Sequence, residues 1–100
     1  MIKIKLLKSN DNINGIIITG HANYDDYGKD IVCAAASSIA TTTVNGVLAF
    51  DKESLSYEVS EKGLIIKVND THDITQTLIN NMVNLLKDLE EQYPENIEVK

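Results

Sequence analysis

Apolar residues in this chain repeat at two different periods, and the switch between them narrows the folds open to it. Ile2, Ile4 and Leu6 point one way while Lys3 and Lys5 point the other, the period-two signal of a half-buried strand. Leu55, Tyr57 and Val59 alternate in the same way with Ser54, Ser56, Glu58 and Ser60. By contrast Leu78, Met82, Leu85, Leu86 and Leu89 keep the 3.6-residue spacing of one helix face. Gly15–Thr19 is a β-branched run and reads as a second strand, separated from the first by a polar loop at Ser9–Asn14. Leu64–Val68 reads as a fourth strand, reached through a turn at Glu61-Lys62-Gly63.

Between the two strand pairs lies Ile31–Phe50, rich in Ala, Ser and Thr and free of proline. Asp30 is placed to cap it as a helix, because a carboxylate there can accept the amide protons two and three positions on. The run Ala34-Ala35-Ala36-Ser37-Ser38 would let that helix approach a sheet closely. The β-branched Thr41–Val44 weakens helix propensity, so the helix there depends on burial, and Gly46 marks either a break or a close contact. Asp73 with Gln76 three residues later resembles a capping box opening a second helix, which Tyr93-Pro94 ends. Ile97–Val99 adds a short edge strand. The order ββαββα with hairpin-length connections predicts a single α+β domain over residues 1–100, with two helices and a mostly antiparallel sheet. The order of strands within the sheet is not specified.

A chain of 100 residues has room for one core, and 43% hydrophobic with 24% charged residues excludes collagen-like, mucin-like and disordered classes. Nine basic against fifteen acidic residues give a net charge of −6, poorly suited to nucleic acid or to an anionic membrane surface. A charged partner would be basic. The single cysteine forbids an intramolecular disulfide and suits a reducing cytoplasm. The alternating N-terminus does not read as a secretory leader, and no stretch approaches the ~18 apolar residues of a membrane span. The expectation is a soluble, cytoplasmic protein.

The chemistry gathers in residues 20–38. His21 follows a strand, and Cys33 takes the third helical position if Asp30 is the cap. The amides and macrodipole of a helix N-terminus favour an anion, so a thiol there is well placed to act as a thiolate. Unpaired amides nearby could hold an oxyanion on a substrate carbonyl. His21, twelve residues upstream across a loop, could fold back as a base, and Asp30 could orient its imidazole or serve only as the cap. The plainer readings stand beside these. A lone cysteine in an alanine-rich helix is a small core residue, and a lone histidine after a strand is a surface group.

Gly20-His21-Ala22, then Gly28, then Asp30-Ile31-Val32-Cys33-Ala34 with Ser37 resembles the signature of the ribosomal-processing cysteine protease (Prp) family of Firmicutes and related bacteria. The similarity extends to the acidic helix ending at Glu90-Glu91-Gln92-Tyr93 and to Glu95-Asn96-Ile97. The resemblance implies a homodimeric cysteine endopeptidase, active without a cofactor. It would remove an N-terminal extension from large-subunit ribosomal protein twenty-seven, cleaving after an aromatic residue in a hydrophobic-then-basic segment. It also implies Cys33 as nucleophile and His21 as general base, with Asp30 and Ser37 in supporting roles, and a loop between His and Cys that moves on substrate binding. An acidic enzyme suits such a basic tail.

Asp25 and Asp26 either meet the lysines beyond the scissile bond or are solvated loop residues, and Gly28 is either a hinge or a residue at positive φ. Tyr24 and Tyr27 either line a substrate cleft or pin the loop. His21, Asp25, Asp26, Asp30 and Cys33 match no standard zinc spacing, so no metal is expected. The alternative to a protease is a non-catalytic module that binds a ribosomal protein, with the leucine stripe as docking face rather than core or dimer contact. His72, just before the second helix, reads as a surface or near-cap residue rather than the base.

Overall fold

A computed structural model describes residues 1–26, 30–69 and 73–100. Strands β1 (Ile2–Ser9) and β2 (Asn12–Thr19) form an antiparallel hairpin, followed by helix α1 (Ile31–Phe50). A second antiparallel hairpin, β3 (Leu55–Ser60) and β4 (Gly63–Val68), leads to helix α2 (Asp73–Gln92) and the short strand β5 (Ile97–Val99). The five strands lie in the order β3-β4-β2-β1-β5. All pairings are antiparallel except β5 on β1, where Ile2 faces Ile97. The expected α+β architecture is therefore present, with β5 as the short edge strand.

The alternation read in β1 decides which face the helices cover. Ile2 and Ile4 are buried while Lys3 and Lys5 are exposed. Ile13 and Ile16 of β2 and Ile66 and Val68 of β4 join them in one core with Val32, Ala36, Ala40, Val44 and Val47 of α1 and the inner face of α2. Both helices thus sit on one face of the sheet.

Several expectations need correction. The first hairpin loop is only Asn10-Asp11, both at positive φ (51° and 69°), rather than the whole of Ser9–Asn14. Asn and Asp tolerate that conformation, so two residues suffice to reverse the chain. Gly46 neither breaks α1 nor marks a close approach, since a Cβ there would meet open space. Gln76 is not half of a capping box. Its amide reaches back to β2, where Nε2 donates to the Ile13 carbonyl (3.0 Å) and Oε1 accepts from the Ile13 N–H (2.9 Å).

The leucine stripe of α2 also divides. Met82, Leu86 and Leu89 are core, joined by Ile79 and Val83, whereas Leu78 and Leu85 are exposed. In β3 only Leu55 is buried, and Tyr57 and Val59 are 52% and 70% exposed. Their side of the strand faces a groove rather than a packed helix. Finally, the expectation that no stretch approaches a membrane span needs correction, because by length and composition alone α1 passes as one, its Ala, Val, Ile and Leu outweighing the interspersed Ser and Thr. Here its buried stripe is spent on the sheet.

Candidate active site

The groove, about 970 Å³, lies between α1 and the β3–β4 hairpin. Its near wall is the exposed side of α1, with Cys33, Ser37, Thr41 and Asn45, and its far wall is Tyr57, Val59 and Leu64. His21, Asn23, Asp25 and Asp30 close the end beside Cys33. The structure therefore brings His21, Asp30, Cys33 and Ser37 to one cavity. Gly28, Tyr27 and His72 lie outside the described residues.

Local sequence explains how each group arrives there. Strand β2 must stop at Gly20, which sits at φ +83°, where a Cβ would collide with the Met1 carbonyl oxygen. His21 follows at the sheet end and is exposed. Asp30 adopts extended backbone (φ −79°, ψ 102°) and caps α1 as read, its Oδ1 accepting from Val32 N (3.0 Å) and Cys33 N (2.9 Å). Its Oδ2 accepts from Tyr24 N (2.9 Å). One carboxylate thus ties the loop after His21 to the start of α1. Burial disfavours the charge on Asp30, but hydrogen bonds from the backbone of Cys33, Tyr24, Asp25 and Val32 outweigh it, and the carboxyl sits below its usual value.

That arrangement changes two expectations. Asp30 was considered as a residue orienting His21, yet among the described residues its oxygens take backbone amides and none of the hydrogen bonds comes from the imidazole. The amides around Cys33 were expected to be free for an oxyanion. Those of Val32 and Cys33 are taken by the cap, and Ala34 N donates to the Asp30 carbonyl (3.1 Å).

The donor that does face the sulfur comes from the loop. Ala22 N lies 3.2 Å from Cys33 Sγ and donates to it. Cys33 is half-buried, at the groove end. Ala22 itself is buried, and its carbonyl accepts from Asn96 Nδ2 (2.9 Å), 74 residues away. Next to it Asn23 takes φ +55°. Tyr24 does not line the groove: its ring meets that of Tyr93 edge-on, centroids 5.4 Å apart at 82°, which pins the loop to the segment after α2. No sequence spacing announces these contacts to Asn96 and Tyr93, because they depend on the chain returning from α2. Among the described residues no three His, Cys, Asp or Glu side chains gather as a metal site.

The model of the family described as cysteine protease Prp matches residues 1–98. The ribosomal processing cysteine protease Prp of Staphylococcus aureus is 33% identical over 88 residues, covering 85% of this chain and 83% of that protein. The crystal structure of the S. aureus protease with a covalently linked product peptide superposes with a TM-score of 0.94 at 29% identity, covering 100% of this chain and 98% of that one. Its complex with a substrate peptide gives 0.87 at 30% identity, with the same coverage.

Proposed function

The chain belongs to the Prp family of cysteine proteases, and from that premise we propose that it is an endopeptidase using Cys33 as nucleophile and His21 as general base. Its substrate in this reading is the N-terminal extension of large-subunit ribosomal protein twenty-seven, cut after an aromatic residue in the cytoplasm. The observation that carries the reading is the position of Cys33 Sγ, at one end of a groove and under the Ala22 N–H.

The sulfur attacks the scissile carbonyl, forming a C–S bond and a tetrahedral oxyanion. Ala22 N–H, already within hydrogen-bond distance of the sulfur, is the backbone donor best placed to follow the charge onto that oxygen. His21 takes the thiol proton as the sulfur attacks and passes it to the leaving amine as the C–N bond breaks. It then takes a proton from the attacking water and returns it to the sulfur as the C–S bond breaks, releasing the acid and the thiol. From Cys33 to Asn45 the groove follows twelve residues of helix, about 18 Å, the length of about five residues of extended peptide. Its wall of Tyr57, Val59 and Leu64 supports apolar side chains in that peptide, and the chain's net charge of −6 favours a basic one. Exposed Ile74, Leu78 and Leu85 on one side of α2 support the homodimer that the family resemblance implies.

The test is incubation with a peptide carrying the extension, read by mass. Wild type yields two products, and Cys33→Ala leaves the peptide whole while still binding it. Normal cleavage by Cys33→Ala overturns the assignment of the nucleophile. Binding without cleavage by wild type would favour the non-catalytic module instead.

A further inference from the structure

We infer that Asn96 is a positioning residue for the reaction: its side-chain amide holds the His21-Ala22-Asn23 turn so that the Ala22 N–H points at Cys33 Sγ. The inference rests on the protease reading above and adds a residue from the opposite end of the chain. Ala22 is gripped on both sides. Its N–H donates to the sulfur (3.2 Å) and its carbonyl accepts from Asn96 Nδ2 (2.9 Å). These two bonds fix the residue between the thiol and the strand β5 segment, directly after His21. Asn23 at φ +55° bends the chain away from the extended path directly after Ala22.

Asn96 is itself held by main chain. Its N–H donates to the Tyr93 carbonyl (2.9 Å) and its carbonyl accepts from Ile2 N (2.9 Å). Those bonds survive a side-chain substitution, so the amide can be altered without removing the turn that carries it. Asn96 does not line the groove, which separates an effect on positioning from one on peptide binding. The neighbouring edge-on contact of Tyr24 with Tyr93 restrains the same loop one residue beyond Asn23.

The experiment compares Asn96→Asp and Asn96→Ala with wild type in peptide cleavage, in iodoacetamide labelling of Cys33 across pH, and in thermal melting. Asp keeps the size of Asn but, ionised, cannot donate to the Ala22 carbonyl, so it carries the test if the alanine variant does not fold. A displacement of an ångström in a catalytic group costs up to about 100-fold. The expected result is a kcat lowered about 10- to 100-fold with KM within about twofold, and labelling that requires a higher pH than in wild type. Cleavage and labelling that match wild type overturn the inference, as does a rise in KM at unchanged kcat. A wild-type protein that never cleaves, or one indifferent to Cys33→Ala, would instead overturn the protease reading itself.

Discussion

Replacing Gln76 by leucine removes the group that completes the β2 edge, and the structure lets its cost be worked out. Strand β2 starts at Asn12, but its partner β4 pairs only from Gly15, opposite Lys67. The N–H and carbonyl of Ile13 therefore have no strand beside them on that side. The Gln76 amide stands in for one, donating to the carbonyl and accepting from the N–H. Both residues are buried, Ile13 at 1% and Gln76 at 8% exposure, so water cannot substitute freely. Leaving a buried donor or acceptor unpaired costs about 1–3 kcal/mol each. Two such groups, less the gain from burying leucine carbons, give a net loss of about 2–4 kcal/mol by the same principle. At about 4–8 °C per kcal/mol for a domain of this size, melting falls by roughly 8–32 °C.

Circular dichroism melts and urea titrations of wild type and variant measure that loss, with an unchanged urea slope showing that the folded state is the same. Gln76→Glu provides a second reading. An ionised glutamate accepts from Ile13 N–H but repels its carbonyl, whereas the protonated acid can donate. Burial raises the folded pKa of that glutamate above its unfolded value of about 4.3, so the penalty is full above the folded pKa. It shrinks as pH falls toward the unfolded value. A leucine variant melting within about 3 °C of wild type would show that the amide pair contributes nothing net, and the reasoning from unpaired edge groups would fail.

Asp30→Asn puts an NH₂ or a weaker acceptor where the Tyr24 amide now donates, so cleavage at neutral pH falls and the Tyr24 amide loses its protection, as followed by NMR hydrogen exchange. In the native carboxylate the pKa is lowered, so its contribution to loop docking is full above the ordinary carboxylate value of about 3.8 and lost as pH falls through the folded value. The Asn variant should lose that acid-dependent step, and an identical acid transition in both proteins would contradict the clamp. Val59→Glu and Tyr57→Ser alter the groove wall at exposed positions. They should raise KM for a peptide with apolar side chains several-fold and shift stability by only about 0.5 kcal/mol, measured by initial rates and melting.

Helix α1 was legible because its signals are local: a capping aspartate at Asp30 and no proline over Ile31–Phe50. The strands were legible wherever alternation ran along one chain segment. What escaped depends on neighbours far away in sequence. Gln76 satisfies the spacing of a capping box, but its amide is drawn to Ile13 because β4 leaves that edge bare. Leu78 and Leu85 share the helical period with true core positions, yet Ile79 and Val83 are the ones that face the sheet. The period-two pattern of Tyr57 and Val59 gave the correct face of β3, but periodicity cannot tell a packed core from the wall of a groove. At the site, His21, Asp30 and Cys33, singled out by residue type and spacing, do line one cavity. Ala22 and Asn96 were not, because their contribution is a main-chain N–H and a contact across 74 residues.

The geometry also reassigns how the thiol is supported. A helix start favours an anion at its third residue only while its amides are unclaimed, and here Asp30 claims those of Val32 and Cys33. The carboxylate meets the positive end of the helix first, and its own negative charge lies one turn from the sulfur. In the mechanism proposed above, the charge that develops on Cys33 would be met from the other side, by Ala22 N–H and by His21. Both belong to the segment that Asp30 holds through Tyr24 and that Asn96 holds through Ala22. Asp30 thus withdraws helix amides from the sulfur while docking the loop that replaces them. Under the proposed mechanism, activation of the thiol is conditional on that loop being seated, so any movement of the loop on peptide binding would act directly on Cys33.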